Sequence, residues 1–195
     1  QIVMGLQTVV SRTLPPRRPG VITVGAFHSG TKHNIISDAA HLQLTVRTES
    51  PQDRTLLLDG IRRVAENMGR VAGLPDELLP EVVVSEESVP PTLNDKVLTE
   101  RVMALWNGHF GEGVLFSGER LGMGAEDFPF FTVNPYIPSL YFAVGGTPPE
   151  DFAAEKAGGP PVPSHHSPLF KIEPDASVTL GVEASVTALL DLLGS

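Results

Sequence analysis

The sequence has 195 residues, 41% of them hydrophobic and 19% charged, with a net charge of −9 and no cysteine. This is the composition of an ordinary globular protein with length for one medium domain or two small ones, and its acidic balance excludes a partner gripped through a nucleic-acid backbone, which needs a basic surface. No uninterrupted apolar run approaches the roughly 20 residues of a membrane span, and without cysteine there is no disulfide, thiolate nucleophile or Cys-ligated metal. The opening QIVMGLQTVV lacks the basic region of a signal peptide, so the expected compartment is the cytoplasm. It also begins without Met, inside a helix-like pattern, which suggests a piece of a longer protein.

Gln1 to Arg12 reads as the end of an amphipathic helix, with Ile2, Leu6 and Val9 on one face. Pro15, Pro16 and Pro19 end it and lead into an expected strand, Val21–Phe27. A second strand, Ala40–Thr48, alternates Leu42, Leu44 and Val46 with Gln43, Thr45 and Arg47, the pattern of a half-buried strand. Between them lies GTKHNIISD, Gly30–Asp38: a turn of small and polar residues whose Ile35–Ile36 suggests a tip pinned against a core. Such a loop either holds a polar tip over a site or is a plain hairpin connection. Ser50-Pro51 marks a helix start, with Ser50 as N-cap and Pro51 at the first helical position. The helix Gln52–Ala72 places Leu56, Ile61, Val64, Met68 and Val71 on its expected buried face, and Gly73 and Pro75 stop it. Glu81–Ser85 reads as a further strand. Helix, strand, strand, helix, strand is the order of a ferredoxin-like βαββαβ unit lacking its first strand.

SVPPT, Ser88–Thr92, is the expected domain boundary. A helix follows over Asn94–Phe110, capped by Asn94 or Asp95, and then a short strand at Val114–Phe116. Gly118–Phe131 reads as a Gly-containing loop running into an aromatic-rich turn or helix, and Ser139–Gly146 as a buried strand. Thr147–Pro163 reads as a long Gly/Pro-rich loop. Glu173–Leu193 is an expected terminal helix with Val178, Val182, Val186, Leu189 and Leu193 facing a core.

Few residues carry chemistry by type and place. Imidazole is the commonest metal ligand, but in extended backbone His165 and His166 point opposite ways, so only one would reach a given ion, and a catalytic divalent site needs about three protein ligands. A surface or capping role is the competing reading. Glu86-Glu87 reads as a solvated strand end. For Glu126-Asp127 two readings stay open: Gly122, Gly124 and Ala125 permit close approach of backbone to a ligand, or the carboxylates cap the next turn. Arg47 ends an otherwise aliphatic and threonine-bearing strand. Its guanidinium either holds a substrate carboxylate or makes a structural ion pair.

Six stretches in order resemble the C-terminal half of the M20 metallopeptidase family: LQTVVSR, ITVGAFHSGTKHNII, LTVRT, PPTLND, MGAEDF and HHSPLF. The nearest branch is the amidohydrolases of N-acyl amino acids, which includes hippurate hydrolases and aminoacylases. The resemblance implies a truncated ferredoxin-like lid, the dimerising domain, over residues 1–88. Residues 89–195 would then be the C-terminal part of an α/β zinc-peptidase-like catalytic domain. It implies two divalent metals, zinc or manganese, in the intact site, with His166 matching one ligand. Asn34 and Arg47 match substrate-binding lid residues, and Gly124 and Ala125 match a stretch lining the pocket. The remaining ligands, the general-base Glu and a lid His would precede Gln1, so no catalytic acid–base residue is expected here and the piece alone is expected to be inactive. The implied reaction is metal-assisted hydrolysis of an N-acyl amino acid or short peptide-like substrate. Ser37 stands where the family commonly has Pro, a departure expected to loosen the loop.

Asn34 and Arg47 are 13 residues apart, mostly along one strand, so at about 3.3 Å per residue they stand roughly 30–40 Å apart. Both cannot touch one small ligand within one chain, which implies a symmetric homodimer through the lid. No nucleic-acid or membrane partner is expected. The competing class is a non-catalytic ferredoxin-like dimerisation module, which has no need of MGAEDF or HHSPLF.

Overall fold

The computed structural model describes residues 1–116 and 122–194. The expected loop residues Gly118, Glu119, Arg120 and Leu121 lie outside them. Among the described residues there are five α-helices and one two-stranded antiparallel sheet, arranged in two compact units. The first comprises residues 1–93 and 122–137, and the second residues 94–116 and 138–194.

In the first unit, helix α1 (Ile2–Thr8) runs into one π-type turn, Val9–Thr13. Strand β1 (Gly20–Ser29) pairs with β2 (Ala40–Thr48), and helix α2 (Pro51–Val71) packs on the sheet. The inward residues Ile22, Val24, Leu44 and Val46 join Leu6, Val9, Leu14, Leu57 and Ile61 in one core. Leu57 is fully buried, and burying such a side chain contributes roughly 1.5–3 kcal/mol. A register shift at Gly25 lets one extra residue into β1, the mark of a β-bulge.

The start of α2 follows its sequence signals. The Ser50 hydroxyl accepts a hydrogen bond from the Asp53 N–H at 3.1 Å and donates to Asp53 Oδ2 at 2.9 Å. The buried face of α2 agrees with the one expected at Ile61, which is buried, and at Leu56 and Val64, which pack against the core, and departs from it at Val71 and at the small residues. Leu57, Gly60, Ile61, Ala65 and Gly69 are buried, while Val71 is 76% exposed. A Cβ on Gly60 would lie 2.4 Å from Val9 Cγ1, and one on Gly69 would lie 2.7 Å from Pro80 Cδ. Small residues admit the neighbouring backbone here, and a search for large apolar side chains passes over them.

Asp53 is buried and takes a 2.8 Å hydrogen bond from Arg18 Nη1. That bond holds its pKa below the ordinary 3.8, aided by the Ser50 hydroxyl and the Arg18 charge and opposed by desolvation. A lowered folded-state pKa stabilises above the unfolded value and is lost as pH falls through the folded one. The Tm difference between wild type and Asp53→Asn should therefore be full above about pH 5 and shrink on acidification below about pH 4. A difference constant from pH 6 to pH 2 would contradict the ion pair.

Glu81–Ser85 does not join the sheet. Its burial alternates, with Val82 packed on the core and Val83 80% exposed, so the period-2 pattern is present without a ladder. Ile35 and Ile36 are also not pinned to a core: Ile36 is 99% exposed. The core contacts of the sheet are made by residues of its other half, and even Phe27, near the hairpin end of β1, is largely exposed.

In the second unit, helix α3 (Lys96–Phe110) packs on α5 (Pro174–Leu193) around Val102, Trp106 and Ala184. Asp95 is the N-cap, accepting from the Leu98 N–H at 2.8 Å. The expected strand Ser139–Gly146 is not assigned as one. Instead Asn94 brackets Tyr141 with two side-chain hydrogen bonds, at 2.9 and 2.8 Å, and the Asp95 N–H donates to Ser139 O. Val114–Phe116 forms no strand either. The expected loop contains a helix, α4 (Pro149–Lys156), with Pro149 in its first turn, Glu150 and Asp151 beside it and Lys156 at its end, signals that favour a short helix.

The face of α5 expected to meet a core is instead largely exposed at Val178, Val182, Val186, Leu189 and Leu193, and Ala184 and Ala188 make the contact with α3. By length and composition α5 alone among the described helices is apolar enough to span a bilayer. It nevertheless carries Glu183 and Asp191, which pair with His109 and Arg101 of α3 at 2.8 and 2.7 Å.

Candidate functional site

The outer face of the sheet is polar. On β2 the exposed residues are His41, Gln43, Thr45 and Arg47, alternating with the half-buried Leu42, Leu44 and Val46. Pleating at a period of two therefore places the Arg47 guanidinium on the face away from α2. Its Nη1 donates to the Met123 carbonyl at 2.6 Å. This bond brings residues 76 positions apart together within the first unit. Gly124 and Ala125 follow directly and are exposed. Three of the expected substrate-binding residues thus share one place: a cation beside a short backbone strip with almost no side chain.

Asn34 does not join them. It lies exposed in the hairpin turn, beyond the Ala40 end of β2. Seven strand residues at about 3.4 Å separate Arg47 from Ala40, about 24 Å. The turn has its own ties. Gly30 takes φ +69, and the hydroxyls of Ser29 and Ser37 both donate to Ala39 O, at 2.9 and 2.7 Å. Ser37 therefore contributes a bond that proline could not make.

Glu126 is half-buried and both its oxygens accept: Oε1 from the Thr92 hydroxyl at 2.8 Å and Oε2 from the Phe128 N–H at 2.9 Å. Its Oε2 thus meets the first N–H of the 3₁₀ turn Phe128–Phe131, as the capping reading expects. The Thr92 contact had no signal in periodicity or motif spacing, since it joins residues 34 apart through side chains alone. Glu86 and Glu87 are exposed, as a solvated segment end should be.

His166 lies in the second unit. It is exposed, in a turn closed by the Ser167 N–H on Ser164 O at 2.8 Å. The backbone is not extended, and the turn sets the rings of His165 and His166 side by side, 4.5 Å between centroids, which corrects the expectation that they diverge. Among the described residues no group of three or more His, Asp or Glu side chains is placed to hold a metal ion. These residues do not by themselves make the two-metal centre that the resemblance implies.

No family model matches the chain. The sequence is 30% identical over 188 residues to an uncharacterized hydrolase of Sinorhizobium fredii, covering 96% of this chain and 42% of that one. It is 28% identical over 130 residues to the hippurate hydrolase of Campylobacter jejuni, covering 67% of this chain and 33% of that one. A solved structure assigned as an aminohydrolase from methicillin-resistant Staphylococcus aureus superposes with a TM-score of 0.72 at 26% identity, over 97% of this chain and 44% of that one. The chain thus spans less than half the length of the proteins it matches. Across nearly its whole length the sequence and fold agree with the earlier resemblance: the chain belongs to the M20 family of metallopeptidases and amidohydrolases.

Proposed function

We propose that the protein is a metal-dependent amidohydrolase cleaving the amide bond of N-acyl amino acids, hippurate-like substrates among them. In this reading residues 1–88 are a ferredoxin-like lid and 89–195 the C-terminal part of the catalytic domain. Arg47, Asn34, Gly124 and Ala125 bind substrate, and His166 is one ligand of a zinc or manganese centre whose other ligands lie outside these 195 residues. The observation that carries the reading is Arg47 beside Met123–Ala125. Guanidinium forks onto carboxylate, and a backbone strip without bulky side chains admits an amide-bearing substrate. One N–H of Arg47 is committed to Met123, and a guanidinium has five.

With Asn34 in the turn beyond Ala40, and Ala40 itself about 24 Å from Arg47 along the strand, Asn34 and Arg47 cannot both reach one small ligand. Shared substrate binding therefore calls for a homodimer through the lid, each site taking Asn34 from the partner. The exposed Ile35–Ile36 tip fits such docking.

The test uses the protein at its full natural length with zinc or manganese supplied. Hydrolysis of N-benzoylglycine is compared with that of N-benzoylglycinamide, which lacks the carboxylate. Arg47→Ala should lower kcat/KM for the acid by about 10–100-fold more than for the amide, the scale of one hydrogen bond to a charged group. Equal losses on both would remove Arg47 from carboxylate recognition. Absence of hydrolysis by wild type would favour a non-catalytic module.

A further inference from the structure

We infer that Glu126 is a positioning residue, whose clamp on Thr92 and on the Phe128 N–H holds the Gly124–Ala125 backbone in its binding conformation. The inference rests on the substrate site proposed above. Met123 is tied by Arg47 at 2.6 Å, and Glu126 is tied through both oxygens at 2.8 and 2.9 Å. Only Gly124 and Ala125 lie between these two anchors. A free glycine-containing segment samples many conformations, and ordering it on binding costs affinity. Anchors on either side remove that cost before substrate arrives. The same contacts argue against an acid–base role. A general base must present an oxygen to the proton it takes, whereas here each oxygen is already held in place by one hydrogen bond, from the Thr92 hydroxyl and from the first N–H of the 3₁₀ turn.

The prediction separates the two roles. In the full-length protein, Thr92→Val and Glu126→Gln should each raise KM for N-benzoylglycine by about tenfold, the scale of one hydrogen bond to a charged group. In both, kcat should stay within about twofold and both limbs of the pH–rate profile should keep their positions. Thr92→Ser, which keeps the hydroxyl, should restore the wild-type KM. The double variant should be no worse than Glu126→Gln alone, because both changes open one clamp. A fall in kcat of about 10²–10⁴ in Glu126→Gln, or loss of a pH limb, would instead make Glu126 the proton-transfer group and overturn the inference. So would wild-type behaviour of Thr92→Val. If wild type hydrolyses nothing, the proposed function fails and amide exchange in this 195-residue chain decides the clamp alone. Faster exchange across residues 122–131 in Thr92→Val and Glu126→Ala supports it, and unchanged exchange refutes it.

Discussion

Replacing Trp106 by alanine should destabilise the second unit by about 3–5 kcal/mol, the range for removing a large aromatic side chain from a core. The indole is buried and packs at 4.8 Å on the Phe142 ring. Its Nε1–H donates to Ala184 O at 2.9 Å, joining α3 to α5. Around it the unit has few fully buried side chains, chiefly Val102 and Ala184, so little remains to fill the cavity. Trp106→Phe separates the two contributions: it keeps most of the ring volume and removes the donor, and should cost about 1–3 kcal/mol. Denaturant melts followed by circular dichroism measure both. Equal loss in the two variants would assign the whole effect to the hydrogen bond. Since Trp106 is the only tryptophan, its emission in wild type should shift to the red on unfolding.

Leu57→Ala should cost about 2–5 kcal/mol in the first unit. Leu57 is fully buried within a cluster with Leu6, Val9, Leu14, Ile22 and Ile61. The site is poorly placed to collapse. Gly20 and Gly60 stand where chains approach so closely that a Cβ would meet Leu14 at 2.6 Å or Val9 at 2.4 Å, so the packing has little slack and the cavity term persists. Leu57→Met, which conserves volume, should cost less than about 1.5 kcal/mol. A loss below about 1 kcal/mol for Leu57→Ala would mean that the core rearranges around the gap.

Both sites show where sequence reasoning stops. The start of α2 was legible because its cap is local: Ser50, Pro51 and Asp53 lie within one turn and satisfy one another. The strand Ala40–Thr48 was legible because one face is covered and the other is not, which writes period two into the chain. The glycine and alanine part of the buried face of α2 was not legible, although Ile61, Leu56 and Val64 were. Gly60, Ala65 and Gly69 are buried because another chain segment arrives there, and a glycine carries no hydrophobic signal of its own.

The same distinction runs through the rest of the molecule. Valine-rich Glu81–Ser85 prefers extended backbone, but a strand also needs a partner to accept its hydrogen bonds, and that partner is not a property of the segment. Ser139–Gly146 is likewise tied by the Asn94 side chain, without a ladder. Ile35–Ile36 and the apolar face of α5 announce hydrophobicity but not what covers it.

By itself the sequence determined the family, the helix starts, the paired strands and the residue types offered for chemistry, because these depend on neighbours within a turn or on motifs kept in order. Only the tertiary structure decided that Arg47 reaches Met123, that Thr92 clamps Glu126, and that Asn34 stands apart from them. Hydrogen bonds across 76 and 34 residues exist only where the intervening chain is folded. Their partners are therefore chosen by the packing of whole elements, and no local pattern in the sequence records that choice.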